Sequence, residues 1–178
     1  KFDLFWWGVG IITCLGAAAF VLIGLRGNAF GFPLDDAWIH QTYARNLAQS
    51  STWSFIPGKI SGGSTSPLWT VLLSFGYKIS QNFAWSWALA LSICALGLIV
   101  VLLGKSLPGN TPLKVLFAIL VGFEWHLNWA AGSGMETILY CLGISALVFL
   151  LFNNKYQWGW VGGVLGALVW IRPDGLTL

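Results

Sequence analysis

Apolar residues fall in long runs along this chain, separated by short polar stretches. Leu4–Leu25 carries no charge and stops at Arg26-Gly27-Asn28, which predicts a first membrane-spanning helix. Uncharged or nearly uncharged runs at Phe83–Gly104, Val115–Ala131, Ile138–Phe152 and Trp158–Ile171 predict four more. Between the first two runs the chain turns polar and rich in Gly and Ser, with Pro33, Pro57 and Ser61-Gly62-Gly63-Ser64-Thr65-Ser66-Pro67. Such backbone cannot face hydrocarbon unsatisfied, so residues 26–82 are predicted to form an external loop. Inside it, Ile39, Tyr43 and Leu47 recur every fourth residue while Gln41, Arg45 and Gln49 take another side. Asp36–Gln49 therefore reads as a helix lying in the membrane interface.

Pro67–Ser80 is apolar but short, about 21 Å as a helix against a hydrocarbon core of roughly 30 Å. If it spans, Glu136 and the Arg172-Pro173-Asp174-Gly175 turn lie across the membrane from Asp35-Asp36. If it stays at the surface, all three acidic clusters share one face and Lys1, Lys105, Lys114 and Lys155 collect on the other. The second arrangement satisfies the positive-inside rule better, although Arg26, Arg45, Lys59 and Arg172 then lie outside. The expected fold is an all-α polytopic membrane domain over residues 1–178, with about five transmembrane helices and two interfacial helices in the first external loop.

Composition agrees. The chain is 57% hydrophobic and only 8% charged, with a mean hydropathy of +0.75, against about 25% charged residues in soluble domains. A net charge of +3 from scattered Lys and Arg gives no nucleic-acid surface. Cys14, Cys94 and Cys141 sit within apolar runs and read as small buried hydrophobes, so they fix no redox compartment. The first run is too long for a signal-peptide core and reads as a retained anchor. The absence of an initial Met and the stop after Arg172-Pro173-Asp174-Gly175 suggest the N-terminal part of a longer protein, inactive by itself.

Few residues can carry chemistry. Asp35-Asp36 opens the interfacial helix. As a cap and a dipole partner the pair is worth about 1 kcal/mol. As a base it has His40 and Tyr43 on the same side of the helix. Glu124 and His126 interrupt an apolar run, where an ionisable group faces either a cavity or a structural partner. Glu136 either caps the following helix or joins the acidic cluster. Arg172 either snorkels or meets substrate. No Walker loop, dinucleotide-binding glycine motif, His-x-x-x-His or Gly-x-Ser-x-Gly is present. The tryptophans cluster near run ends as interface anchors, with Trp38 and Trp53 also placed to stack on a sugar.

The order of these elements carries a resemblance. Pro33-Leu34-Asp35-Asp36-Ala37-Trp38-Ile39, Tyr43-Ala44-Arg45-Asn46-Leu47, Gly63-Ser64-Thr65-Ser66-Pro67-Leu68-Trp69, Gly134-Met135-Glu136-Thr137 and Arg172-Pro173-Asp174-Gly175 follow the first apolar run in turn. The pattern resembles the N-terminal half of a GT-C-fold glycosyltransferase using polyprenyl-phosphate sugars, of the arabinofuranosyltransferase and mannosyl- or aminoarabinose-transferase kind. That resemblance implies an inverting transferase in a bacterial inner membrane, working on the extracytoplasmic side on a glycan, lipid or protein acceptor. By analogy Asp35 or Asp36 deprotonates the acceptor hydroxyl. His40, Tyr43, Arg45, Lys59, Glu136, Arg172 and Asp174 become the candidate substrate-binding residues. The leaving phosphate calls for a cation, either Arg45, Lys59, Arg172 or a divalent Mg, Mn or Ca ion. The alternative is a non-catalytic scaffold or accessory subunit. An active site would require Asp35, Asp36, Glu136 and Asp174 to surround one cavity.

Overall fold

The computed structural model describes residues 2–25, 31–152 and 157–177. The fold is all-α, apart from one small hairpin. In order, the chain forms α1 (Phe2–Leu25), α2 (Asp35–Ser50), a two-stranded hairpin of β1 (Ser54–Ile56) and β2 (Lys59–Ile60), α3 (Pro67–Ile79) and α4 (Phe83–Ser106). Then come α5 (Thr111–Gly122), α6 (Trp125–Gly132), α7 (Thr137–Phe152), α8 (Trp158–Ile171) and a 3-10 turn over Pro173–Thr177. Arg26, Lys1 and Lys155, weighed above for topology, lie outside the described residues.

α1 and α4 run antiparallel at close range. A Cβ on Gly97 would lie 2.4 Å from Cys14 Sγ, and one on Gly104 would strike the Trp6 ring at 2.3 Å. Lipid gives two apolar helices no hydrophobic reason to associate, so small residues that let the backbones approach supply the packing. Polarity is turned inward as well. Thr13, Ser92 and Ser145 are buried while Leu4, Ile11, Ile12, Leu22 and Leu120 are exposed. α1 and α4 are each long and apolar enough to cross a membrane.

The run expected to make one straight helix from Val115 to Ala131 is broken. α5 and α6 meet at 45° and count as a third span if taken together. The break falls at Glu124, whose carboxylate accepts from Leu127 N–H at 2.8 Å and so caps α6. Asn128 Nδ2 donates to the carbonyls of Gly122 at 3.1 Å and Glu124 at 2.8 Å. A broken apolar helix needs its freed carbonyls re-satisfied, and Asn128 does that for Gly122 O, while Glu124 O also takes the first backbone bond of α6. His126 pairs with Glu124 and is exposed.

α5 and α6 together climb back alongside α1: Gly122 faces Thr13, and Gly132 faces Val21. α7 then descends against α4, with Ile138 packed among Ala95, Leu96 and Ile99. α8 returns antiparallel to α7, Leu168 against Gly143 and Arg172 near Tyr140. Among the described residues the helices thus make five passes along the bundle, of which two, or three with α5 and α6 taken together, are long and apolar enough to cross a membrane. α7 and α8, at 16 and 14 residues, are apolar but shorter than the other passes.

α3 does not traverse it. Trp69, near its start, donates to Gly134 O at 3.1 Å, and Gly134 packs on Phe32. Trp85, just beyond its end, has its ring 6.2 Å from that of Phe32. Both ends of α3 therefore lie at the same end of the bundle, and the helix rests on the opening turns of α4, where Trp87 donates to Leu72 O at 2.8 Å.

The β-hairpin was not expected. Pro57-Gly58 joins its strands, with Gly58 at φ +79°, the Pro-then-Gly order that suits a type II turn. Asn46 Nδ2 fastens the hairpin to α2 by donating to Ser54 O at 2.9 Å and Phe55 O at 3.0 Å.

Candidate functional site

α2 begins one residue earlier than its periodicity suggested. Leu34 occupies the N-cap position and no side chain caps the helix, so Asp35 is not the cap. Asp35 and Asp36 occupy the first turn, both exposed, and neither forms an ion pair among the described residues. The face they begin then turns inward: His40 and Tyr43 are buried.

His40 sits at the centre of a polar cluster. Its Nδ1 is 3.0 Å from Ser64 Oγ, which is 2.8 Å from Thr70 Oγ1. The Ser61–Pro67 segment, expected as a flexible loop, is therefore held to α2 and α3 by side chains. Tyr43 contributes: its phenolic oxygen accepts from Gly63 N–H at 2.7 Å and lies 2.6 Å from Ser61 Oγ. Trp53 packs its ring 5.6 Å from that of Tyr43.

On the other side of His40, Nε2 lies 3.5 Å from Glu136 Oε2. Arg172 Nε lies 3.6 Å from Glu136 Oε1, and its guanidinium stands 6.0 Å over the Tyr140 ring. Glu136 is 4% exposed. Its backbone carbonyl starts α7 by accepting from Tyr140 N–H at 2.9 Å. The His40 contact is too long for a hydrogen bond, and Oε2 has no hydrogen-bonding partner among the described residues. Burial pushes the Glu136 carboxyl up. The neighbouring imidazole, the residue's own backbone amide and the Arg172 charge pull it down and prevail, holding it below the ordinary glutamate value.

Gly134 makes this meeting possible. Its φ of +79° turns the chain sharply between α6 and α7, and a Cβ there would lie 2.4 Å from the Phe32 ring. Trp69 locks the turn from the other side.

The remaining candidates lie elsewhere. Lys59 is exposed on β2. Asp174 lies in the 3-10 turn after Arg172, and its side chain is outside the described residues. Arg45 lines a separate pocket of about 210 Å³ between α2, α3 and the start of α4, with Trp38 and Gln41. None of that pocket's lining residues is a carboxylate, so the expected hollow enclosed by Asp35, Asp36, Glu136 and Asp174 is not this one. Among the described residues no group of three His, Cys, Asp or Glu side chains is placed to hold a metal ion. Ser64, Thr70 and Gln41 were missed in the sequence because nothing in a serine-rich loop or a lone glutamine marks it as buried.

No family model, curated protein or solved structure matches this chain.

Proposed function

We propose that the chain is the membrane-embedded part of an inverting transferase that moves a sugar from a polyprenyl-phosphate donor to an acceptor hydroxyl outside the membrane. In this reading the five passes cross an inner membrane while α2 and α3 lie along its outer surface. Lys105 and Lys114 then stand at the cytoplasmic end, as positive residues prefer. Asp35 or Asp36 takes the acceptor proton, the acceptor oxygen bonds to the anomeric carbon, and the lipid phosphate leaves with the electron pair.

One observation carries the reading: Glu136 reaches α2 at His40, one turn after the aspartate doublet. Acidic groups far apart in sequence thus share one end of the bundle, as the order of motifs requires. Asp35 and Asp36 stand exposed beside that cluster, open to an acceptor. The test is transfer from a polyprenyl-phosphate sugar by the whole protein with Asp35→Asn or Asp36→Asn. Loss of the base is expected to slow transfer about 10²–10⁴-fold in one of them. Unchanged rates in both would end the proposal.

A second reading, a non-catalytic scaffold or accessory subunit, is favoured by the way Glu136 is used. Its carboxylate is buried between His40 and Arg172, as a structural tie would be. That reading expects Glu136→Gln to weaken the fold while both aspartate variants behave as the unaltered protein.

A further inference from the structure

We propose that the pocket between α2, α3 and the first turn of α4 is a binding site for a phosphate ester group. It lies on the side of α2 that carries Trp38, Gln41 and Arg45, spaced three and four residues apart. His40 and Tyr43 occupy the opposite side, so the pocket is distinct from the His40–Glu136 cluster.

Arg45, Gln41 and Tyr77 offer positive charge or hydrogen at this pocket, and none of the lining residues offers negative charge. Arg45 is the only charged lining residue, and it has no ion-pair partner among the described residues. Gln41 is 3% exposed, yet its Nε2 has no hydrogen-bond partner among the described residues. A buried donor left unpaired is costly, so its presence at a cavity wall points to an acceptor that enters the cavity. Tyr77 supplies the third. Burial pushes its phenol up, with the Arg45 charge opposing more weakly, so the O–H stays protonated and can donate at neutral pH. A guanidinium, an amide N–H and a phenol together suit an acceptor-rich anion, and the fork of arginine matches phosphate oxygens.

Apart from Thr42 and Gln81, the rest of the wall is aromatic. The Phe32 ring stands 5.6 Å from that of Trp38 and 6.2 Å from that of Trp85. Trp38 is pinned by its indole N–H, which donates to Phe32 O at 3.1 Å. These rings lower the local dielectric around Arg45 and give the organic half of an ester an apolar seat. At about 210 Å³ the cavity is smaller than the roughly 300–1,000 Å³ of pockets for drug-sized ligands. It suits one headgroup, not a whole lipid. The assignment deepens the transfer reading by giving one of its three candidate cations a seat. Its test measures no transfer, so either can fail alone.

Titration calorimetry of the whole chain in maltoside micelles tests it, with short-chain phosphatidylglycerol in one arm and inorganic phosphate in the other. Binding of the lipid alone identifies a membrane headgroup, and binding of phosphate alone or of both identifies a site open to soluble anions. Each of these supports the site if Arg45→Gln and Gln41→Leu weaken binding at least about tenfold. Gln41→Leu should fold as well as the unaltered chain, since it removes the unpaired donor, and so guards against a folding artefact. Binding of neither probe, or equal binding by both variants, overturns the proposal.

Discussion

His40 Nε2 lies 3.5 Å from Glu136 Oε2, and this contact joins α2 to the connection between α6 and α7. Arg172, at the end of α8, approaches the other oxygen of the same carboxylate. A single buried acid therefore links three parts of the bundle, and the behaviour of that acid sets the first expectation.

Glu136 has a folded-state value below its ordinary one. Its contribution to stability is fully present above the unfolded-state value of about 4.3 and is lost as pH falls through the lower folded value. Unfolding in mixed micelles, followed from pH 7 down to about 3, should show this loss. Glu136→Gln should flatten the acid limb of the curve. Identical acid limbs in the two proteins would mean that the carboxylate is not held as described.

Gly134→Ala places a Cβ against the Phe32 ring at a residue with φ +79°. The strained backbone and the clash should together cost about 1–3 kcal/mol. Because the turn also aims Glu136, the variant should blunt the acid dependence as well. A fully stable Gly134→Ala protein would show that the turn tolerates a side chain.

Asn128→Ala removes the side-chain donor to Gly122 O at the α5–α6 break and leaves Glu124 O with only the backbone N–H of residue 128. A cost of about 1–3 kcal/mol is expected, measured by the same unfolding assay. Asn128→Asp, which keeps the shape but not the donor, should be at least as harmful. If both substitutions were neutral, the break would have to be satisfied by something other than this amide.

Much of the architecture is legible in the sequence, because apolar runs of membrane length leave the backbone little choice but helix. α1 and α4 follow their runs to within two residues, and the four-residue recurrence of Ile39, Tyr43 and Leu47 located α2. Local chemistry was less legible. Glu124 and His126 marked a disturbance in an apolar run, but only the structure shows that Glu124 is a helix cap at a 45° break. Pro57-Gly58 had the composition of a turn, yet its strands are too short to give an alternating pattern.

What the sequence determined by itself is where the chain must be helical and which few residues are ionisable, since both follow from hydropathy and residue type. The tertiary structure alone decided that both ends of α3 lie at one end of the bundle, that Glu136 turns toward His40 and that Gln41 is buried with its Nε2 unpartnered among the described residues. Those outcomes depend on which helices approach one another, and that is set by small-residue contacts such as Gly97 against Cys14. No single segment's pattern encodes such a contact, because half of it lies in another helix.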